Sequence, residues 1–120
     1  MASKTALLDK FCRSLPGATM SRQWGDHQVY KVGGKMFAVL TEPKESGGGT
    51  ASFKANDVAF AMLTETGQAR PSPYMARAHW LYVDNLKQFP VAELRRYIAA
   101  SHALVANKLT KKAQRELGFA

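Results

Sequence analysis

The sequence predicts an α+β fold in which an antiparallel sheet carries helices packed on one face. Three observations carry this reading. A glycine pair, Gly33-Gly34, separates two strand-like runs. Apolar residues at three-to-four spacing mark helices near both ends of the chain. Between them lie short strand-like segments punctuated by turn residues. The elements read α-β-β-β-β-α-β-β-α-α, as one domain over residues 1–120 with no repeat and no internal boundary.

Ser3 can cap a first helix whose apolar positions are Leu7, Leu8, Phe11, Cys12 and Leu15, and Pro16-Gly17 ends it. Ala18 to Trp24 reads as a strand, interrupted by Gly25-Asp26. Gln28–Val32 and Lys35–Leu40 flank the glycine pair, which supplies the positive φ that a two-residue hairpin turn needs. A regular two-residue hairpin sets Val32 opposite Lys35, Tyr30 opposite Phe37 and Gln28 opposite Val39. Tyr30, Val32, Phe37 and Val39 then face the core. Val29, Lys31, Met36, Ala38 and Leu40 take the other face, which is apolar enough to meet a helix or a second subunit.

Glu42 to Gly49, with three consecutive glycines and no apolar anchor, reads as a mobile loop. It lacks the spacing of a phosphate-binding loop. Thr50–Lys54 is a strand, and Asn56 caps a helix running through Glu65 with Gly67 as its stop. Pro71 and Pro73 hold Arg70 to Tyr74 extended or turned. A strand follows from about His79 to Val83, with Trp80 and Tyr82 on one face. Pro90 opens a long helix with an apolar stripe of Val91, Leu94, Tyr97, Ile98 and Val105, flanked by Arg95 and Arg96. Thr110 caps a last helix, Lys111 to Leu117, closed by Gly118.

Composition narrows the function classes. A hydrophobic fraction of 46% argues for a folded globule. The longest apolar run, Val58 to Leu63, is too short to cross a bilayer, and the N-terminus lacks the pattern of a signal peptide. The expectation is a soluble cytoplasmic protein. Cys12, alone, cannot form an internal disulfide and reads as a core thiol. Seventeen Lys and Arg against nine Asp and Glu give a net charge of +8, which favours nucleic acid or another acidic partner.

Catalytic patterns are missing. His27, His79 and His102 are scattered, no metal-ligand spacing occurs, and Asp26-His27 reads as a turn. No nucleophile elbow or paired carboxylates are present. The sequence therefore points to a protein that is not an enzyme and needs no cofactor. The basic residues are more informative. Lys31 and Lys35 bracket the hairpin turn, where they can contact a phosphate backbone or guard a sheet edge. Lys54 precedes the second helix. Lys108, Lys111 and Lys112 read as a solvated helix face. The segment Arg70 to Asp84 gathers Arg70, Tyr74, Arg77 and Trp80: two cationic forks suited to phosphate, and two aromatic side chains that can stack on bases or fill a core.

Leu15-Pro-Gly17, Tyr30-Lys-Val-Gly-Gly-Lys-Met-Phe-Ala38, Arg70-Pro-Ser-Pro-Tyr-Met75, His79-Trp80 and Leu109-Thr-Lys-Lys112 together resemble the MmcQ/YjbR family over nearly the whole chain. The resemblance implies a YjbR/frataxin-like α+β domain and a "double-wing" DNA-binding role. Many family members carry Asn-Lys-Lys or Asn-Lys-Arg before the His-Trp pair; here the residues are Ala76-Arg77-Ala78. One basic side chain survives at Arg77, which implies weaker or differently specific binding.

The leading expectation is thus a DNA-binding protein that contacts phosphates through Lys31, Lys35, Lys54, Arg70 and Arg77, with Tyr74 and Trp80 as aromatic partners. The alternative is a non-enzymatic protein-interaction or chaperone-like module, a homodimer through the second hairpin face. A third reading is a small-molecule binder built around His27, His79 and the glycine-rich loop.

Overall fold

A computed structural model describes residues 4–23, 27–41, 49–72 and 79–119. Helix α1 (Lys4–Ser14) leads into strands β1 (Ala18–Gln23), β2 (His27–Val32), β3 (Lys35–Thr41) and β4 (Thr50–Lys54). Helix α2 (Asp57–Thr66), the two-residue strand β5 (Arg70–Pro71) and β6 (Trp80–Val83) follow. A one-turn 3-10 helix (Leu86–Gln88) precedes α3 (Val91–Asn107) and α4 (Lys111–Glu116). Ser3, Trp24, Asp26, most of the glycine-rich loop (42–48), Tyr74 and Arg77 lie outside the described residues.

The strands form one sheet, ordered β1-β2-β3-β4-β6-β5, with every neighbouring pair antiparallel. The first four make a meander. Helix α2 then carries the chain past the position of β6 to the far edge, and β6 returns between β5 and β4. Pro71 sits in the edge strand, the one place where a missing ladder donor costs little.

Gly33 and Gly34 turn with φ of 58° and 80°, as the tight hairpin requires. Val32 pairs with Lys35 as the sequence predicts, but the register then breaks. Lys31 pairs with Met36, whereas Tyr30 pairs with Ala38, so Phe37 is an extra residue in β3. The bulge re-phases the strand. Ala38 and Leu40, expected on the second face, join Tyr30 and Phe37 in the main core, and Val39 moves to the second face beside Val29. The bulge is held from outside the sheet: Ser101 on α3 donates its hydroxyl to the Phe37 carbonyl at 2.6 Å and accepts the Lys54 amide at 2.9 Å.

The core fills the other side of the sheet. Leu8 and Cys12 of α1, Leu63 of α2, and Leu94 and Ile98 of α3 pack on Tyr30, Phe37, Phe53 and Leu81. Each fully buried side chain of this size contributes about 1.5–3 kcal/mol. Helix starts follow the expected capping: Asn56 accepts the Ala59 amide at 2.8 Å, and Thr110 accepts that of Ala113 at 3.1 Å. The α3 stripe also contains two buried polar residues, Ser101 and His102, where only apolar positions were expected. His102 Nε2 lies 2.7 Å from the Pro16 carbonyl, tying α3 to the turn after α1.

Strand β6 begins one residue later than predicted. His79 takes a left-handed conformation, φ 59°, and so belongs to a bend rather than to the strand. The bend is held locally: Nδ1 of His79 is 2.8 Å from Asp57, its ring stacks on Phe60 at 4.9 Å, and its carbonyl accepts the Ala55 amide.

Candidate functional site

Register decides which side chains share the sheet face opposite the main core. Phe53 and Ala51 of β4 point into that core, so the alternation places Ser52 and Lys54 on the opposite face. Lys54 pairs across to Trp80, Ser52 to Tyr82, and Tyr82 in turn to Arg70. On the hairpin, Lys31 pairs with Met36 on this same face. Val29, Val39 and Trp80, with Met36 against them, form a small separate hydrophobic cluster that contains no residue from a described helix.

A pocket of about 350 Å³ opens at the hairpin end of this face, where β3, β4 and β6 meet the end of α3. Lys35, Lys54 and Lys108 line it together with Met36, Trp80, Val105 and Leu109. Two of the lysines stand against each other. The Lys54 ammonium is held below its ordinary pKa first by partial burial and then by the Lys108 ammonium beside it, which repels its charge and can donate a hydrogen bond only to the neutral amine. No carboxylate is among the described residues that line the pocket, and Asp9, Asp57 and Asp84 are paired elsewhere, with Arg13, His79 and Arg70. Lys108 has a structural role as well, because it caps α3, where a cation suits the negative end of the helix dipole. That role accounts for one lysine and leaves the convergence of three unexplained.

Of the residues singled out from the sequence, Lys35, Lys54 and Trp80 share this pocket, and Lys31 lies on the adjoining part of the face. Trp80 is only 5% exposed, so it floors the pocket and does not offer a free ring to a base from solvent. Arg70 sits apart. Its strand lies two places beyond β4, about 10 Å away. Its guanidinium is held 2.8 Å from Asp84 and 4.9 Å over the Tyr82 ring, beside a second cavity of about 230 Å³. Arg70 is therefore already engaged as an ion-paired side chain. Tyr74 and Arg77 lie outside the described residues. Lys108 is the residue that sequence reasoning left in a solvated helix face. No local pattern could have joined it to Lys54, which is 54 positions earlier in the chain.

The other constellations do not assemble. His27 pairs with Thr41, which pairs with Thr50; Trp80, next to His79, pairs with Lys54. The two histidines thus stand at opposite ends of the sheet, about 13 Å apart along the strand direction alone. Among the described residues no three His, Cys, Asp or Glu side chains gather as a metal site would require. Among the described residues no helix is long and apolar enough to cross a membrane. The second hairpin face is less sticky than the regular register suggested, since Val29 and Val39 are buried and Met36 is its one partly buried apolar residue.

A six-stranded antiparallel sheet with its helices gathered over one face, and a basic pocket at the hairpin end, defines a small α+β domain. The YjbR family model matches residues 13–104, and the chain belongs to that family. Among solved structures it is similar to the Deinococcus radiodurans protein DR2400, described with a DUF419 domain. The TM-score is 0.80 at 23% identity, covering 94% of this chain and 86% of that one. A Pseudomonas syringae protein from a structural genomics consortium aligns with a TM-score of 0.66 at 17% identity, over 82% of this chain and 96% of that one. Identities this low establish the fold alone. No curated protein matches the chain.

Proposed function

We propose that this protein binds nucleic acid, contacting the phosphate backbone of duplex DNA through Lys31, Lys35, Lys54 and Lys108. The observation that supports it is the convergence of Lys35, Lys54 and Lys108 on one pocket with no neighbouring carboxylate among the described residues. Cations held together without counter-charge gain most from an anion that reaches several of them at once. The net charge of +8 adds long-range attraction to a polyanion, and the contacts are of the kind that position a backbone without reading bases. The protein acts in this reading by binding, with no catalytic step.

Fluorescence anisotropy on a labelled duplex, titrated with salt, is the test. Neutralising about four phosphates gives a slope of log affinity against log salt of roughly −3 to −4. Replacing Lys35 and Lys54 together by alanine should flatten that slope by about two. A folded protein that fails to bind at ~50 mM salt sinks the proposal.

A further inference from the structure

The pocket beneath the lysines has a shape that contacts to a duplex backbone do not by themselves account for. Backbone contacts need only the lysine donors, and this site is also concave and half apolar: Met36, Trp80, Val105 and Leu109 line it beside the three ammonium groups. Apolar side chains at the base of a cationic cleft serve a ligand that brings its own hydrophobic body. Three lysines lining one cavity match an anion of more than one charge concentrated on one group. A phosphodiester carries a single negative charge per phosphate; a phosphomonoester carries ≈ −1.5 to −2 near neutral pH, on three oxygens that accept hydrogen bonds. At about 350 Å³ the cavity falls within the ordinary size range of small-ligand sites.

We infer that the pocket between the hairpin, β4 and the end of α3 binds an organic phosphomonoester, with the phosphate against Lys54, Lys108 and Lys35 and a flat apolar body over Met36 and Leu109. Trp80 closes the floor. Its burial against Val29 and Val39 keeps the cavity's shape fixed when the site is empty, which lowers the ordering cost of binding. Leu109 is fixed in its turn by Gly33, since a Cβ at that glycine would lie 2.6 Å from Leu109 Cδ1. The hairpin turn and the pocket wall are thus built as one unit. The ligand can be a free small molecule or the phosphorylated end of a nucleic-acid strand; both present the same monoester beside a ring. The inference does not rest on duplex binding, and a protein that ignored duplex DNA would leave it standing.

Isothermal titration calorimetry on the full chain, with phenyl phosphate, inorganic phosphate and phenol as probes, tests it. Phenyl phosphate should bind at least about tenfold more tightly than inorganic phosphate, because it alone joins the anion to an apolar body. Phenol should not bind measurably. Lys54→Met and Lys108→Ala should each weaken phenyl phosphate about tenfold or more, the loss of one charge-assisted hydrogen bond. Lys112→Ala, a basic change outside the pocket, should leave the affinity unchanged. A nucleoside monophosphate that binds as well as a 5′-phosphorylated oligonucleotide identifies the free ligand. A preference for the oligonucleotide, lost when its 5′ end is a hydroxyl, identifies the strand end. Equal affinity for phenyl phosphate and inorganic phosphate, or retention of affinity in folded Lys54→Met, overturns the inference.

Discussion

Ser101 and Phe37 are 64 positions apart in sequence and 2.6 Å apart in the fold, joined by a hydrogen bond from the serine hydroxyl to the Phe37 carbonyl. Phe37 is the extra residue of the β3 bulge, so its backbone groups fall outside the regular ladder. The same hydroxyl accepts the amide of Lys54 at 2.9 Å, at the end of β4 and directly behind the basic pocket. One buried oxygen therefore fixes the hairpin's phase and the position of a pocket lysine. Ser101→Ala should cost about 2–3 kcal/mol, because a buried carbonyl and a partly buried amide lose their partner together. Urea denaturation measures this, with the midpoint falling and the slope unchanged.

That contact also marks where the sequence stops being readable. The glycine turn, the Asn56 and Thr110 caps and the apolar stripes are local signals, and the structure carries them except at Leu7, which the α1 stripe included and the fold leaves exposed. The register beyond Lys31 is not local. It follows from a hydroxyl on a helix more than 60 residues downstream, and without it a regular hairpin is the reasonable expectation. Ala38, Val39 and Leu40 consequently changed faces. The pocket was half legible for the same reason: Lys35, Lys54 and Trp80 stood out by type and by resemblance, while Lys108 reached them only through the packing of α3 on the sheet.

Lys4 carries a different kind of long-range tie. Its ammonium donates to the carbonyls of Leu86 and Phe89, each at 2.9 Å, and of Lys87 at 3.3 Å. These carbonyls belong to the 3-10 turn before α3, so a residue in the first turn of α1 caps the far connection. Lys4→Met keeps the aliphatic stem and removes the three hydrogen bonds. The expected loss is about 1–2 kcal/mol, softened because water can reach part of this site. A thermal melt beside that of Lys10→Met, an exposed lysine of the same helix, isolates the effect.

Cys12 gives the fold an alkaline limit. Burial, with the nearby Asp9 charge second, raises its thiol from 9.0 to about 12. A raised folded pKa means that the neutral thiol is favoured by folding. The stabilisation is complete below pH 9, the unfolded value, and is lost as pH climbs through about 12. Tyr30, buried and hydrogen-bonded to Asp9 at 2.5 Å, is shifted upward as well and adds to the loss above its ordinary value of 10.0. Stability should therefore fall from pH 9 to 11 by about 2 kcal/mol more in the native sequence than in Cys12→Ala. In the folded protein the thiol should resist thiol-specific reagents at pH 8 and react on unfolding.

The lysine pocket sets binding against stability. Lys54 and Lys108 are pressed together with no carboxylate beside them among the described residues, and burial and repulsion both disfavour the Lys54 charge. A pair of this kind does not strengthen the free protein; its value lies in the anion it receives. Lys54→Met removes the repulsion and retains the apolar stem, so folding stability should be unchanged or higher by up to about 0.5 kcal/mol. Affinity for a phosphate-bearing ligand should fall in the same variant. The complement is that phosphate stabilises the native protein more than the variant, by RT ln(1 + [L]/Kd) for each. Melting curves of both proteins with and without phenyl phosphate, at constant ionic strength, measure the two effects together. Equal stabilisation of both by the ligand would mean that its phosphate is bound elsewhere, and a variant less stable than the native protein would show that Lys54 holds the fold rather than a ligand.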